Sequence, residues 1–214
     1  MTEPESLADL LGGRRAAMDA TVPPLAFVVG WLAGGRSIGW GALAAVVAAL
    51  AVSAWRLRRG DKPRAVLIGL LGVTVAALIA LRTGKAEDFF LLQIVSNAAS
   101  ALAWAVSIVV RWPLLGLVVG AVLGQKTRWR RDPALLRAYA RGSWIWVLQY
   151  VVRLVVFVPL YLAGQVVALG VARVVLTWPL VAACLAVSWW VIRRSLPAGH
   201  PGLRHPRPEP ASVS

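Results

Sequence analysis

The residue with the clearest chemical potential is Arg153, a charged side chain near the middle of the apolar run 143–162. Placing an arginine at the centre of a membrane helix costs about 2.5 to 3.5 kcal/mol on insertion scales, and such residues commonly mark an ion or substrate pathway. No carboxylate lies inside any apolar run of the chain. We therefore expect amides, backbone carbonyls, a bound anion or a lipid phosphate to stabilise Arg153, unless the side chain extends to the membrane surface.

Polar side chains also follow one face of the run 89–110, with Trp104 among them. Their spacing is helical, and they are Gln93, Asn97, Ser100 and Ser107. Two interpretations stay open. Amides and hydroxyls hydrogen-bond neighbouring transmembrane helices, or they line a polar pathway or pocket. The candidate pathway residues are Gln93, Asn97, Ser100, Gln149 and Arg153, since Gln149 lies one helical turn before Arg153.

A second charged group precedes the run 89–110. Glu87 and Asp88 are the only carboxylates between Asp61 and Asp132. Carboxylates are favourable at the positive end of a helix dipole, so these two acids predict a helix start on the outer side of the membrane. The expected outer charge cluster consists of Arg82, Lys85, Glu87, Asp88 and Arg173.

The composition places these residues in a membrane protein. The chain is 59% hydrophobic and only 15% charged, which is too apolar for the surface of a soluble domain. Its formal net charge of +14 comes from short basic clusters between apolar runs, a pattern of membrane orientation rather than of nucleic-acid binding. With one cysteine, and with both histidines in the Pro-rich tail, we expect no metal site, no cofactor and no catalytic residue.

Seven apolar runs predict an all-α, polytopic membrane helix bundle. They are 22–35, 38–55, 65–81, 89–110, 114–123, 143–162 and 166–192. A crossing needs about 20 residues, so the ten-residue run after Arg111-Trp-Pro113 is too short to span. We expect about six transmembrane helices plus one short re-entrant or broken helix. A second Trp-Pro-Leu, at 178–180, suggests either a second interrupted helix or an ordinary kink.

Basic residues predict the orientation. The loop 56–64 has five and the loop 124–142 has six, so both belong on the cytoplasmic side, together with both termini. The expected organisation is a cytoplasmic amphipathic segment at 1–21, a transmembrane domain at 22–195 and a disordered Pro-rich cytoplasmic tail at 196–214. Anionic lipid headgroups are expected at six arginines of the two loops: Arg56, Arg58, Arg59, Arg128, Arg130 and Arg131.

Four stretches together resemble a known family. They are LGGRRAAMDATVPPLAFVVGWLAGG, LRTGKAEDFF, TRWRRDPALLRAYA and FVPLYLAGQVVALGVARVVLTWP. These stretches and their order along the chain resemble the actinobacterial multi-pass membrane family called domain of unknown function 3159, over roughly residues 7–195. This resemblance implies placement in the cytoplasmic membrane and names no reaction.

The sequence therefore predicts a non-enzymatic membrane bundle whose basic cytoplasmic loops bind anionic lipid or partner proteins. Homo-oligomerisation is left open. The alternative is a transporter or channel that favours small anions and uses the polar stripe of 93–107 with Arg153.

Overall fold

The computed structural model describes residues 13–124 and 127–197, and within these ranges the chain is helical with no strand. Seven α-helices and two short 3-10 helices follow one another. Their bounds are α1 Gly13–Ala33, α2 Ile38–Arg58, α3 Pro63–Thr83, a 3-10 helix Ala86–Phe90, α4 Leu91–Val109, α5 Leu114–Val122, a 3-10 helix Arg128–Arg131, α6 Pro133–Leu162 and α7 Val166–Ser195.

The helices have the length and composition of membrane spans. Among the described residues, five helical segments are long and apolar enough to cross a membrane: α2, α3, Ala86–Val109, α6 and α7. A shorter apolar helix, Thr21–Ala33, forms the second half of α1, and α5 has only nine residues. Large apolar side chains such as Ile68 and Val109 are 71% and 77% exposed, which suits hydrocarbon and not water. The predicted polytopic all-α bundle with one short broken helix is thereby confirmed.

Proline has different effects at different positions in this chain. Pro113 precedes α5, and Arg111 before it adopts a left-handed backbone with φ 57°, so the chain reverses its course there. Pro179 lies inside the continuous helix α7, so the interpretation of the second Trp-Pro-Leu as an interrupted helix is wrong. Pro23 and Pro24 likewise lie inside α1. Membrane helices tolerate proline where neighbouring groups satisfy the freed carbonyls.

Two compact units divide the chain. Unit 1 comprises the described residues up to Val95 together with Val156–Trp178, and unit 2 comprises those of Ser96–Val155 and from Pro179 onward. Residues 1–12 of the predicted N-terminal segment 1–21 lie outside the described residues, and residues 13–21 belong to α1. From residue 198 the predicted tail is also outside them.

Small residues and three phenylalanines in mutual contact form the core of unit 1. The rings of Phe27 and Phe89 lie parallel at 4.1 Å, and Phe90 meets both edge-on. A Cβ atom on Gly30 would lie 2.6 Å from the Cβ of Ala44, so glycine is what lets α1 and α2 approach this closely.

Unit 2 packs around Trp129, a fully buried residue of the second 3-10 helix. Its indole meets Tyr139 edge-on at 5.4 Å, and a Cβ atom on Gly116 of α5 would lie 2.7 Å from the same indole. Ser188 donates a hydrogen bond to the carbonyl of Gly142 at 3.4 Å, which joins α7 to α6. The basic 3-10 helix is therefore fixed to the bundle by its one aromatic residue.

Candidate functional site: an arginine cleft and a buried polar level in unit 2

The break between α4 and α5 is held by one hydroxyl. Ser107 donates to the carbonyl of Trp104 at 2.7 Å and accepts from the N–H of Leu114 at 3.2 Å. The N–H of Trp112 also donates to the Ser107 carbonyl at 2.8 Å. Ser107 therefore stabilises the reversal at Arg111, which is a structural role for one member of the predicted polar stripe.

This reversal forms one side of an open cleft of about 690 Å³. The end of α4, the second 3-10 helix and the first two turns of α6 enclose it. Its lining residues are Ile108, Arg111, Pro113, Arg130, Arg131, Pro133, Leu136, Arg137 and Ala140. Four arginines thus line one cavity, and the lining contains no carboxylate. We call this cavity the arginine cleft.

Local contacts orient the arginines of the cleft. The guanidinium carbon of Arg130 lies 3.8 Å from the ring centroid of Trp112, a cation–π contact that fixes its plane. Arg137 donates from Nε to the carbonyl of Pro133 at 3.2 Å. The buried Asp132 accepts from the N–H groups of Ala134 and Leu135 at 3.0 and 3.3 Å and so caps α6.

The cleft includes two of the predicted lipid-binding arginines and two that were not predicted. Arg130 and Arg131 line it, whereas Arg128 is exposed in the same 3-10 helix and is not part of the lining. Sequence reasoning missed Arg111 and Arg137. The only signal for Arg111 is its place directly before Trp-Pro. Arg137 was visible only as one of six basic residues in its loop.

The other basic loop, in unit 1, uses its charges differently. Arg56 pairs with Asp61 at 2.7 Å, and both side chains are largely buried, 12% and 10% exposed. Arg59 stacks on Trp55 at 4.7 Å, while Arg58 is exposed. One of the three predicted lipid-binding arginines in this loop therefore already has an internal counter-ion.

Unit 2 also buries three of the predicted pathway residues. Asn97, Gln149 and Arg153 are 3%, 2% and 8% exposed. The amide nitrogen of Asn97 and the amide oxygen of Gln149 have no hydrogen-bond partner among the described residues. Ser100 is half-buried in the same unit, and Gln93 is half-buried but belongs to unit 1.

The register of two helices places Asn97 and Arg153 at one depth. Trp104 of α4 and Trp146 of α6 stack at 5.1 Å, and the cleft brings Ile108 near Ala140, so the two helices run antiparallel. Asn97 lies seven residues before Trp104, and Arg153 lies seven residues after Trp146. Seven residues are about two helical turns. Because the helices are antiparallel, Asn97 and Arg153 are displaced from the tryptophan stack by the same distance in the same direction along the helix axes.

The predicted outer charge cluster lies in unit 1. Its two acids are in the 3-10 helix that leads into α4, where Asp88 is buried and Glu87 half-buried. Tyr161 donates a hydrogen bond of 2.5 Å to the carboxylate of Asp88, a partner that sequence reasoning did not identify. Arg82 and Lys85 are exposed and Arg173 is half-buried.

Metal-binding side chains and related proteins give little further guidance. Across residues 13–124 and 127–197, no three His, Cys, Asp or Glu side chains form a group that could hold a metal ion. No curated protein and no solved structure matches the chain. A family model described as protein of unknown function (DUF3159) matches residues 11–199. The chain therefore belongs to this family.

Proposed function

We propose that this integral membrane protein binds anionic lipid headgroups in the arginine cleft of unit 2. In this proposal the protein lies in the cytoplasmic membrane of an actinobacterial cell with the cleft on the cytoplasmic side. The excess of basic residues in the loops 56–64 and 124–142 supports that orientation. No reaction and no catalytic residue are part of the proposal.

The observation that carries the proposal is that four arginines line one cavity. Guanidinium offers planar, paired N–H donors that match two phosphate oxygens, which makes arginine the preferred residue for phosphate recognition. The remaining lining is apolar and includes Ile108, Leu136 and Ala140. An amphipathic ligand whose charged head joins an apolar body matches such a lining.

A charge-matched comparison tests the proposal. The cleft variant replaces Arg111, Arg130, Arg131 and Arg137 by Gln, and the control variant makes the same change at Arg58, Arg59, Lys62 and Arg64 of the unit 1 loop. Both remove four positive charges from the cytoplasmic face. We expect the affinity of the purified protein for phosphatidylglycerol in nanodiscs to fall at least about fivefold further in the cleft variant than in the control, because both variants lose four charges but only the cleft variant loses paired donors around one cavity. Equal losses in both variants would show attraction by net charge alone and would overturn the proposal.

A second candidate function is passage of small anions along the buried polar level. The supporting observation is that Asn97 and Gln149 each bury an amide atom that has no hydrogen-bond partner in the described part of the chain, next to or level with Arg153. A buried polar atom without a partner costs about 1–3 kcal/mol, so a transported ion or its water would recover that energy.

Liposome flux measurements test this second candidate. We expect anion flux in the wild type and its loss in Arg153→Gln and in Asn97→Leu. Ser188→Ala is the control, because Ser188 is buried in the same unit but hydrogen-bonds to Gly142. A wild-type protein without flux, or an Arg153→Gln protein with normal flux, contradicts this candidate function.

A further inference from the structure

We infer that the arginine cleft selects a membrane lipid whose headgroup carries two phosphate groups, an inference that rests on the proposed binding of anionic lipid. The charge of the cleft favours such a headgroup. The nine lining residues include four arginines and no acid, so the lining has four formal positive charges. A headgroup with a single phosphate neutralises one of them, whereas a headgroup with two phosphates neutralises at least twice as many.

Hydrogen-bond donors give the second argument. Each guanidinium has five N–H groups, and a phosphate commonly accepts a bidentate pair from one arginine. Arg137 uses Nε for the carbonyl of Pro133, which leaves its two terminal nitrogens for a ligand. The guanidinium carbon of Arg130 lies 3.8 Å from the ring centroid of Trp112, and a cation–π contact of this kind uses none of its N–H donors. Four arginines therefore offer two donor pairs to each of two phosphates.

Size and shape give the third argument. The cleft of about 690 Å³ lies within the usual range for small-molecule sites, roughly 300–1,000 Å³, and exceeds what one phosphate group fills. Its apolar residues come from α4 and α6, both of which belong to segments apolar enough to span the membrane. A lipid bound here can keep its hydrophobic part beside these helices, which a soluble anion would not need.

Strain in the backbone agrees with a ligand-binding role. Arg111 has φ 57°, and a non-glycine residue in this left-handed region costs of order 1 kcal/mol or more and is found preferentially at ligand clamps and other functional sites. Glycine occupies five other positive-φ positions in the described chain, and Arg36, which does not line the cleft, has φ 65°. At Arg111 the chain instead retains a side chain that lines the cleft.

The test compares two lipids at equal total charge. The full-length protein is placed in phosphatidylcholine nanodiscs that contain either cardiolipin, with two phosphates, or phosphatidylglycerol at twice the molar fraction, and bound lipid is counted by native mass spectrometry. We expect the wild type to bind cardiolipin about tenfold more tightly per molecule than phosphatidylglycerol. For the cleft variant with four Gln substitutions we expect a preference of about twofold, which is the ratio of phosphate groups in the two lipids. The unit 1 loop control keeps the wild-type preference.

A second variant covers the case in which the Gln variant fails to fold. Replacing the same four residues by Lys retains the charge but removes the paired donors, so we expect the preference for cardiolipin to fall toward twofold while total lipid binding persists. Competition by soluble pyrophosphate tests whether the cleft binds a free anion instead of a lipid. If it displaces cardiolipin at concentrations equal to that of the lipid, the ligand is a soluble diphosphate and the lipid assignment is overturned.

The outcomes separate this inference from the proposed function. If both lipids bind through the cleft with equal strength per phosphate, the proposed function stands and the selectivity for two phosphates is wrong. If neither lipid depends on the cleft arginines, the proposed function fails and the inference fails with it.

Discussion

The two basic loops of this protein are similar in charge and differ in what their charges contact. The loop of unit 1 has five basic residues within 56–64, and that of unit 2 has six within 124–142. In unit 1 an arginine pairs with Asp61, and another stacks on the tryptophan of its own helix. In unit 2 two loop arginines and Arg137 of α6 converge with Arg111 on one cavity.

Under the proposed function, this difference means that the number of positive charges alone does not define a phosphate site. Exposed charges attract an anionic membrane by about 1 kcal/mol per residue wherever they lie near its surface. In the proposed function, recognition of a particular headgroup also requires donors held at fixed positions, and in unit 2 the buried Trp129 and the cap at Asp132 fix the second 3-10 helix and the start of α6. The three predictions below test this distinction, beginning with the largest effect.

The anchor of the cleft loop is the most sensitive point. We expect Gly116→Ala to destabilise the protein by about 1–3 kcal/mol, because the new Cβ atom would lie 2.7 Å from the indole of Trp129 and would displace the 3-10 helix. Thermal unfolding in detergent measures this loss. Gly72→Ala in α3 is the control, since its Cβ atom would meet nothing within 4 Å and alanine favours the helix. Equal effects of the two substitutions would contradict the role of Trp129 as an anchor.

The stacking tryptophans should differ in function although both contact an arginine. We expect Trp112→Leu to weaken lipid binding by about two- to fivefold, because Arg130 loses the ring that fixes its plane. Trp55→Leu removes the equivalent ring from Arg59 in unit 1 and should leave binding unchanged. Titration of nanodisc-embedded protein with phosphatidylglycerol measures both. If Trp55→Leu also reduced the affinity for lipid, the unit 1 loop would orient its arginines for lipid as well.

Releasing the paired arginine of unit 1 should have the smallest effect. We expect Asp61→Asn to increase binding to anionic vesicles by about twofold, since Arg56 loses its counter-ion and can face the membrane surface. The gain should be equal for lipids with one and two phosphates. Asp61→Glu preserves the pair and serves as the control. Preference for a two-phosphate lipid in the Asp61→Asn protein would mean that charge count alone creates selectivity.

Sequence patterns predicted much of the fold and part of the candidate site. Hydrophobic run length identified the spanning helices and the short helix after Pro113, because both depend only on local composition and on the width of a bilayer. Burial of Asn97, Gln149 and Arg153 also agrees with their helical spacing. These properties are local and need no knowledge of which helices are neighbours.

Other features depend on contacts between distant parts of the chain. The juxtaposition of Arg111 with Arg137 requires the end of α4 to lie beside the start of α6, which no pattern within either helix encodes. The hydrogen bond from Tyr161 to Asp88 joins residues 73 apart in the chain. The second Trp-Pro-Leu could not be distinguished from the first, since the outcome depends on the left-handed residue that precedes only one of them.

The left-handed backbone at Arg111 implies a trade-off between stability and function. Glycine at this position would adopt φ 57° without strain, so Arg111→Gly should leave the turn intact and reduce the backbone energy stored there. It would also remove one of the four guanidinium groups of the arginine cleft. If lipid binding is under selection, family members that lack Arg111 should also lack arginine at the facing positions of the cleft.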